Sequence, residues 1–97
     1  MSREKILESI QKNRKEIRRF GVRRLGLFGS FARGRPARSS DIDFVVEFEK
    51  KSFDSYMELK DYLEHLFHRP VDLVLTDAIK PRLRSEILSH SVYVQGL

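Results

Sequence analysis

The chain has 97 residues, of which 40% are hydrophobic and 34% are charged, and its formal net charge is +5. This size and composition fit one soluble domain, and we expect residues 1–97 to form a single unit. No apolar run is long enough for a membrane span, and the charged N-terminus does not fit a secretion signal. The lack of cysteine excludes a disulfide framework. We therefore expect a cytoplasmic protein without a membrane partner.

The charge is divided unevenly along the chain. Residues 1–40 contain twelve Lys or Arg and three Asp or Glu, whereas residues 41–97 contain seven and eleven. A basic first half favours an anionic partner, such as a nucleotide, an acidic protein surface or nucleic acid. Because the basic residues of the N-terminal segment lack a pattern of interleaved aromatic residues, we do not expect nucleic acid to be a direct ligand.

The N-terminal segment predicts an amphipathic helix over residues 3–19. Apolar residues recur there at helical spacing, and Lys and Arg occupy the remaining faces. Ser2 is a suitable N-cap, and Gly21 is expected to end the helix. The apolar set is Ile6, Leu7, Ile10 and Ile17.

Two strands with a turn and a loop between them follow. Residues 22–29 predict a strand that runs into a glycine turn, residues 30–34 a turn or the start of a helix, and residues 35–40 a loop. Residues 41–48 predict a second strand whose side chains alternate between two faces. One face carries Ile42, Phe44 and Val46, and the other carries Asp41, Asp43, Val45 and Glu47.

The remaining residues predict two helices and two strands. Residues 53–67 form an amphipathic helix, residues 71–76 a third strand, residues 81–89 a helix that opens with proline, and residues 92–94 an edge strand. This order indicates α and β elements around one small sheet. The inward-facing sets are Phe53, Met57, Leu59, Leu63, Leu66 and Phe67 on the first helix, and Leu83, Ile87 and Leu88 on the second.

Three aspartates lie in strands that should be apolar. Asp41 and Asp43 are two residues apart and share one face of the second strand, with Cβ atoms roughly 7 Å apart. Asp72 lies on the third strand, and it completes a cluster of three carboxylates if the two strands are adjacent. Paired catalytic metal ions lie about 3.5–4 Å apart, and Mg²⁺ prefers carboxylate and phosphate oxygens. The pattern therefore indicates metal binding for phosphoryl chemistry.

Simpler interpretations of these aspartates stay open. Asp41 taken alone is typical of a solvated strand end. The three carboxylates could also form a structural salt-bridge network with arginines of the first half of the chain. Without any cation, carboxylates that face one another would repel, and their pKa values would rise.

Gly29 and Ser30 lie where the first strand ends and a helical turn begins. Free backbone N–H groups and a serine hydroxyl at such a position suit a phosphate, and glycine lets the chain approach a ligand closely. The alternative is a plain turn residue followed by an N-cap. Nearby arginines either pair with a triphosphate or belong to a solvated loop; they are Arg33, Arg35 and Arg38.

These motifs together resemble the signature of the DNA polymerase β-like nucleotidyltransferase superfamily, and more narrowly of its minimal nucleotidyltransferase (MNT) branch. The matching residues are Gly29-Ser30, Arg33-Gly34 and Ser40-Asp41-Ile42-Asp43. Nearly the whole chain follows the order of elements of that branch. The resemblance implies an α+β (α/β) fold with a small mixed β-sheet and helices packed on one face, as one minimal nucleotidyltransferase domain over residues 1–97.

The resemblance also implies roles for individual residues. Two Mg²⁺ ions would be bound as cofactors, and ATP would be the substrate. Asp72 would bind the catalytic ion and help to deprotonate the attacking hydroxyl. The catalytic and metal-binding set would be Asp41, Asp43 and Asp72, and the nucleotide-binding set would be Gly29, Ser30, Arg33 and Ser40.

Small MNT proteins are typically the antitoxins of HEPN–MNT toxin–antitoxin pairs. The resemblance therefore implies transfer of AMP from ATP to a hydroxyl, with a tyrosine of a cognate HEPN RNase toxin as acceptor and a hetero-oligomer as the assembly. One alternative is an antitoxin that neutralises its HEPN partner by binding alone. Another is transfer to a small molecule or RNA, against which the lack of room for an acceptor domain counts.

Overall fold

A computed structural model describes residues 1–35, 41–94 and 97. The helices are α1 (Arg3–Lys12), α2 (Arg14–Arg19), α3 (Gly29–Ala32), α4 (Phe53–Phe67) and α5 (Pro81–Ser89). The strands are β1 (Val22–Phe28), β2 (Ile42–Phe48), β3 (Val71–Leu75) and β4 (Val92–Tyr93), and Thr76–Ala78 form a 3₁₀ turn. Arg38 and Ser40 lie outside the described residues, so their expected roles stay predictions. No helix in the described ranges has the length and hydropathy needed to cross a membrane.

The four strands form one mixed sheet in the order β3-β2-β1-β4. Strand β2 is parallel to β3, and β1 is antiparallel to both β2 and β4. The expected small mixed sheet is confirmed, and so is the adjacency of the two aspartate-bearing strands. The register places Asp43 opposite Asp72 on one side and Phe28 on the other.

The hydrophobic core lies between one face of this sheet and helices α1, α2 and α4. The expected inward set of β2, namely Ile42, Phe44 and Val46, is fully buried there. Leu59 and Leu63 of α4 are also fully buried, because their spacing of four residues places both on the same face of the helix. Burial of this apolar surface supplies the main stabilisation of the fold.

The helix predicted over residues 3–19 is in fact two helices. The Ser2 hydroxyl caps α1 as expected and accepts a hydrogen bond from the Lys5 N–H at 3.2 Å. The break occurs at Asn13, whose side-chain amide donates to the Ser9 carbonyl at 2.8 Å. Asparagine competes in this way with regular helical bonding, and its backbone leaves the helical region with φ −105° and ψ 16°. Gly21, with φ +83°, follows the end of α2.

Helix α4 also covers the outer edge of β3. The Tyr56 hydroxyl donates to the Leu73 carbonyl at 2.6 Å, and the Glu64 carboxylate accepts from the Val71 N–H at 2.9 Å. Side chains of α4 thus form hydrogen bonds with backbone N–H and C=O groups that an edge strand would otherwise leave unpaired. The strand that carries Asp72 is therefore held from both sides.

The second face of the sheet is smaller and partly apolar. Val45, expected on the polar face of β2, is fully buried, because the Tyr93 ring and the glycine at position 26 meet it there. A Cβ on Gly26 would lie 3.0 Å from the Tyr93 ring and 3.2 Å from Val45. Helix α5 extends over this side without a fully buried residue.

Two expectations about inward-facing residues are wrong. Phe53 is 76% exposed, because it occupies the first position of α4, beyond the edge of the core. Leu83 is 40% exposed, because α5 does not pack into the core. Ile87 and Leu88 are half-buried.

Leu59→Ala should lower the free energy of unfolding by about 2–5 kcal/mol, because it leaves a cavity in the core beneath the sheet. Leu83→Ala is the matched control, and its loss of unfolding free energy should stay below about 1 kcal/mol because the side chain lies outside the core and is partly exposed. Urea unfolding followed by circular dichroism measures both. Similar losses for the two variants would contradict this packing.

Candidate active site

The three aspartates converge at one end of the β2–β3 pair. Asp43 and Asp72 are register partners on parallel strands, so their side chains leave the same face of the sheet from backbones about 4.8 Å apart. Asp43 is half-buried, whereas Asp41 and Asp72 are exposed. The predicted set thus consists of one sheltered carboxylate and two that face solvent.

The charge on Asp43 is unfavourably placed. Its pKa is raised above the ordinary value, first because burial removes water from the charged form, and then because the negative charges of Asp72 and Asp41 lie nearby. The Arg33 guanidinium lowers the same pKa but does not cancel the rise. This is the repulsion that the sequence predicts for facing carboxylates without a cation.

The salt-bridge alternative finds no support in the described part of the chain. None of the ion pairs among those residues includes Asp41, Asp43 or Asp72. By contrast, Asp77 pairs with Lys51 at 2.8 Å, and its pKa is lowered by that hydrogen bond. Within residues 1–35, 41–94 and 97, the three carboxylates therefore lack the ion-pair partner that Asp77 has.

Gly29 lies in close contact with the carboxylate of Asp43. Gly29 opens α3 with φ +74°, and a Cβ at this position would overlap the carboxylate of Asp43. The close approach follows from the register, because Phe28, the preceding residue, is the partner of Asp43 in the sheet. Only glycine satisfies both the left-handed backbone and the missing space.

A pocket of about 360 Å³ opens beside Asp43. This volume is at the lower end of the range for small-molecule sites, about 300–1,000 Å³. Four of the predicted site residues lie in its wall, whereas Asp41 and Asp72 do not, and Ser40 lies outside the described residues. The lining residues are Phe28, Gly29, Ser30, Arg33, Asp43, Glu86, Ile87 and His90.

Sequence reasoning missed the contribution of α5 to this pocket. Glu86, Ile87 and His90 line the pocket together with Gly29 and Ser30. The available signal was the spacing of four residues between Glu86 and His90, which places both side chains on the same face of a helix. The few apolar residues of α5 were assigned to the core instead.

The aspartate carboxylates at this site are the type of oxygen ligand that Mg²⁺ prefers. Within the described residues, no group of three or more His, Cys, Asp or Glu side chains is drawn together closely enough to hold a metal ion by itself. Mg²⁺ is commonly bound by one or two carboxylates, with water and substrate phosphates as its other ligands. Asp41, Asp43 and Asp72 supply carboxylates only, and their mutual repulsion would be relieved by a divalent cation.

A larger groove of about 590 Å³ lies elsewhere, between the start of α4 and β3. Of its lining residues, Lys51 alone is charged, and most of the others are apolar, among them Phe53 and Leu75. Its wall offers no carboxylate, whereas the smaller pocket has Asp43 beside Ser30 and Arg33. The chemistry therefore points to the smaller pocket as the candidate active site.

Residues 4–94 match the family model for the nucleotidyltransferase domain. Over 93 residues the chain is 41% identical to the protein adenylyltransferase MntA of Thermococcus cleftensis, and the match covers 94% of each protein.

Solved structures agree with this match. A structure provisionally described as a minimal nucleotidyltransferase has a TM-score of 0.76 and 33% identity, with 95% of each chain covered. A chain from the complex of a tri-AMPylated Shewanella oneidensis HEPN toxin with its MNT antitoxin has a TM-score of 0.66 and 19% identity, covering 94% of this chain and 73% of that one. At 19% identity, the second likeness shows the fold alone.

Gly29→Ala should destabilise the protein more than Gly34→Ala. Both glycines have φ +74°, so each substitution carries the same backbone cost, about 1–2 kcal/mol for a left-handed residue. Only at Gly29 would the new Cβ also overlap Asp43, since nothing lies within 4 Å at Gly34. Urea unfolding measures the difference, and equal losses would show that the glycine turn does not press on Asp43.

Asp43→Asn should stabilise the protein at neutral pH when divalent cations are chelated. Because the pKa of Asp43 is raised in the folded state, the folded protein binds more protons than the unfolded one between the ordinary and the raised pKa. Wild-type stability therefore falls as pH rises through that window, and the asparagine removes this loss. Thermal unfolding with EDTA from about pH 4 to pH 8 should show the advantage of the variant shrinking toward low pH. An advantage independent of pH would contradict the repulsion.

Proposed function

This chain belongs to the nucleotidyltransferase domain family, and from that premise we propose that it transfers AMP from ATP to a hydroxyl group of a protein partner. One observation carries the proposal: Asp43 lies beside Asp72 without an ion-pair partner among the described residues, in the wall of a pocket that also contains Gly29 and Ser30. The Thermococcus relative, named as a protein adenylyltransferase, supports AMP as the transferred group.

The glycine turn and its neighbours would bind the triphosphate of ATP. Gly29 lets the backbone come close to phosphate oxygens, as it already does to the Asp43 carboxylate. The hydroxyl of Ser30 can donate to a phosphate, and the Arg33 guanidinium supplies positive charge in the same pocket. These groups together would fix the orientation of the phosphates toward the aspartates.

Asp41, Asp43 and Asp72 would hold two Mg²⁺ ions. Bound there, the ions would offset negative charge on the phosphates and stabilise the entering and leaving oxygens of the displacement. The repulsion around Asp43 favours this role, because a site that is unstable without a cation gains free energy when one binds.

The acceptor would approach from the exposed side of the cluster. Asp72 is solvent-exposed on the face of the sheet away from the core, where a protein surface can reach it. Its carboxylate would take the proton of the acceptor hydroxyl. The acceptor oxygen then forms a bond to the α-phosphorus of ATP, and the bond to pyrophosphate breaks.

The acceptor is a tyrosine hydroxyl of a cognate HEPN RNase toxin, with which the chain forms a hetero-oligomer as its antitoxin. The solved complex from Shewanella oneidensis, in which an AMPylated HEPN toxin is bound to an MNT antitoxin of similar fold, supports this assignment. Transfer of AMP to the toxin would silence its RNase activity.

Asp41→Ala/Asp43→Ala should lower AMP transfer to the toxin by at least about a hundred-fold, because the site loses the carboxylates that organise charge around the α-phosphate. The assay uses purified toxin, Mg²⁺ and ATP labelled at the α-phosphate. Asp54→Ala/Asp61→Ala removes the same charge from the exposed side of α4 and should transfer label normally.

Label transferred as fast by Asp41→Ala/Asp43→Ala as by the wild type would overturn the proposal. Full neutralisation of the toxin by wild-type protein without any label would show instead that binding alone silences the toxin.

A further inference from the structure

We propose that helix α5 recognises the ribose of the nucleotide, with the Glu86 carboxylate accepting hydrogen bonds from the ribose hydroxyls. The inference rests on the proposed function, because it concerns the same pocket. It assigns the nucleoside part of ATP to α5, an element outside the Gly-Ser and aspartate motifs. The triphosphate stays assigned to the glycine turn.

The pocket is lined by two chemically different sets of residues. Gly29, Ser30 and Arg33 supply a close backbone, a hydroxyl and a cation, which suit phosphate. Helix α5 supplies the Glu86 carboxylate and the His90 imidazole, with Ile87 between them in sequence. Unlike Asp43, Glu86 is not assigned to a cation, and its negative charge would repel a triphosphate, so we assign α5 to a different part of the ligand.

The Glu86 carboxylate is exposed at the pocket, where it can accept hydrogen bonds from a ligand in place of water. It forms no ion pair or side-chain hydrogen bond with any residue in the described ranges. An ionised carboxylate only accepts hydrogen bonds. The vicinal hydroxyls of ribose are donors that lie beside each other, and an acidic residue binds ribose hydroxyls in dinucleotide-binding folds for the same reason.

The order of groups along the ligand favours ribose over the base at α5. The pocket volume of about 360 Å³ is near the lower end of the range for ligand sites. With the triphosphate held at the glycine turn and the α-phosphate at Asp43, the next group along the ligand is the sugar. The base then extends past Ile87 and Phe28, whose apolar side chains complete the wall.

His90 supports Glu86 from the same face of the helix. Its backbone N–H donates to the Glu86 carbonyl at 3.3 Å, which continues the helical bonding and sets the two side chains one turn apart. The acceptor hydroxyl is not a competing ligand for this wall. Asp72 lies on β3, whereas α5 leads directly into β4 at the opposite edge of the sheet.

The test compares binding of ATP and 2′,3′-dideoxy-ATP, in Mg²⁺ and without acceptor, by isothermal titration calorimetry. The wild type should bind ATP about ten-fold or more tightly than the dideoxy analogue, as expected for hydrogen bonds to a charged group. Glu86→Ala should bind both nucleotides with nearly equal affinity. Glu58→Ala, which removes an exposed glutamate from α4, should keep the wild-type ratio. Circular dichroism melting confirms that each variant is folded.

The outcomes separate this inference from the proposed function. Wild-type protein that binds ATP without discriminating against the dideoxy analogue would overturn ribose recognition and leave the nucleotidyltransferase proposal standing. A folded Glu86→Ala variant that keeps the wild-type ratio of affinities for ATP and the dideoxy analogue would also overturn ribose recognition by Glu86 and leave the nucleotidyltransferase proposal standing. A wild type that binds neither nucleotide would overturn both.

Discussion

The repulsion between Asp43 and its neighbouring carboxylates is the constraint around which the site is organised. The parallel pairing of β2 with β3 puts Asp43 and Asp72 side by side, and Asp41, just before β2, adds a further negative charge near Asp43. Because no described lysine or arginine pairs with them, burial and like charge together raise the pKa of Asp43. A fold that keeps such an arrangement loses stability unless a cation occupies it, and divalent cations with phosphate ligands are the natural occupants.

The rest of the structure holds that arrangement in place. One face of the sheet is dedicated to the core, which leaves the other free to carry polar chemistry. The hydrogen bond that the Tyr56 hydroxyl donates and the one that the Glu64 carboxylate accepts fix β3 at its outer edge, so Asp72 keeps its register with Asp43. On the other side, the glycine turn after β1 packs directly on Asp43 and places the phosphate-binding groups next to it. Stability and function are thus supplied by opposite faces of four short strands.

Local patterns in the sequence predict most of this fold. Alternation along residues 41–48 identified the buried face of β2, and the spacing of Leu59 and Leu63 identified the core side of α4. The break at Asn13 was missed because it depends on one side-chain hydrogen bond, whereas periodicity averages over a whole segment. Val45 was assigned to the polar face because its cover comes from Tyr93, a residue distant in sequence. Glu86 was missed for the same reason: the crossing of α5 over the pocket is a tertiary feature without a local motif.

The most direct test of the central claim is a crystal structure of the protein with Mn²⁺ in place of Mg²⁺ and a non-hydrolysable ATP analogue. Anomalous scattering locates manganese independently of the surrounding atoms. The account predicts manganese bound to the carboxylates of Asp41, Asp43 and Asp72, with the triphosphate lying against Gly29 and Ser30. A nucleotide bound in the pocket without manganese at these aspartates, or manganese bound elsewhere, would contradict it.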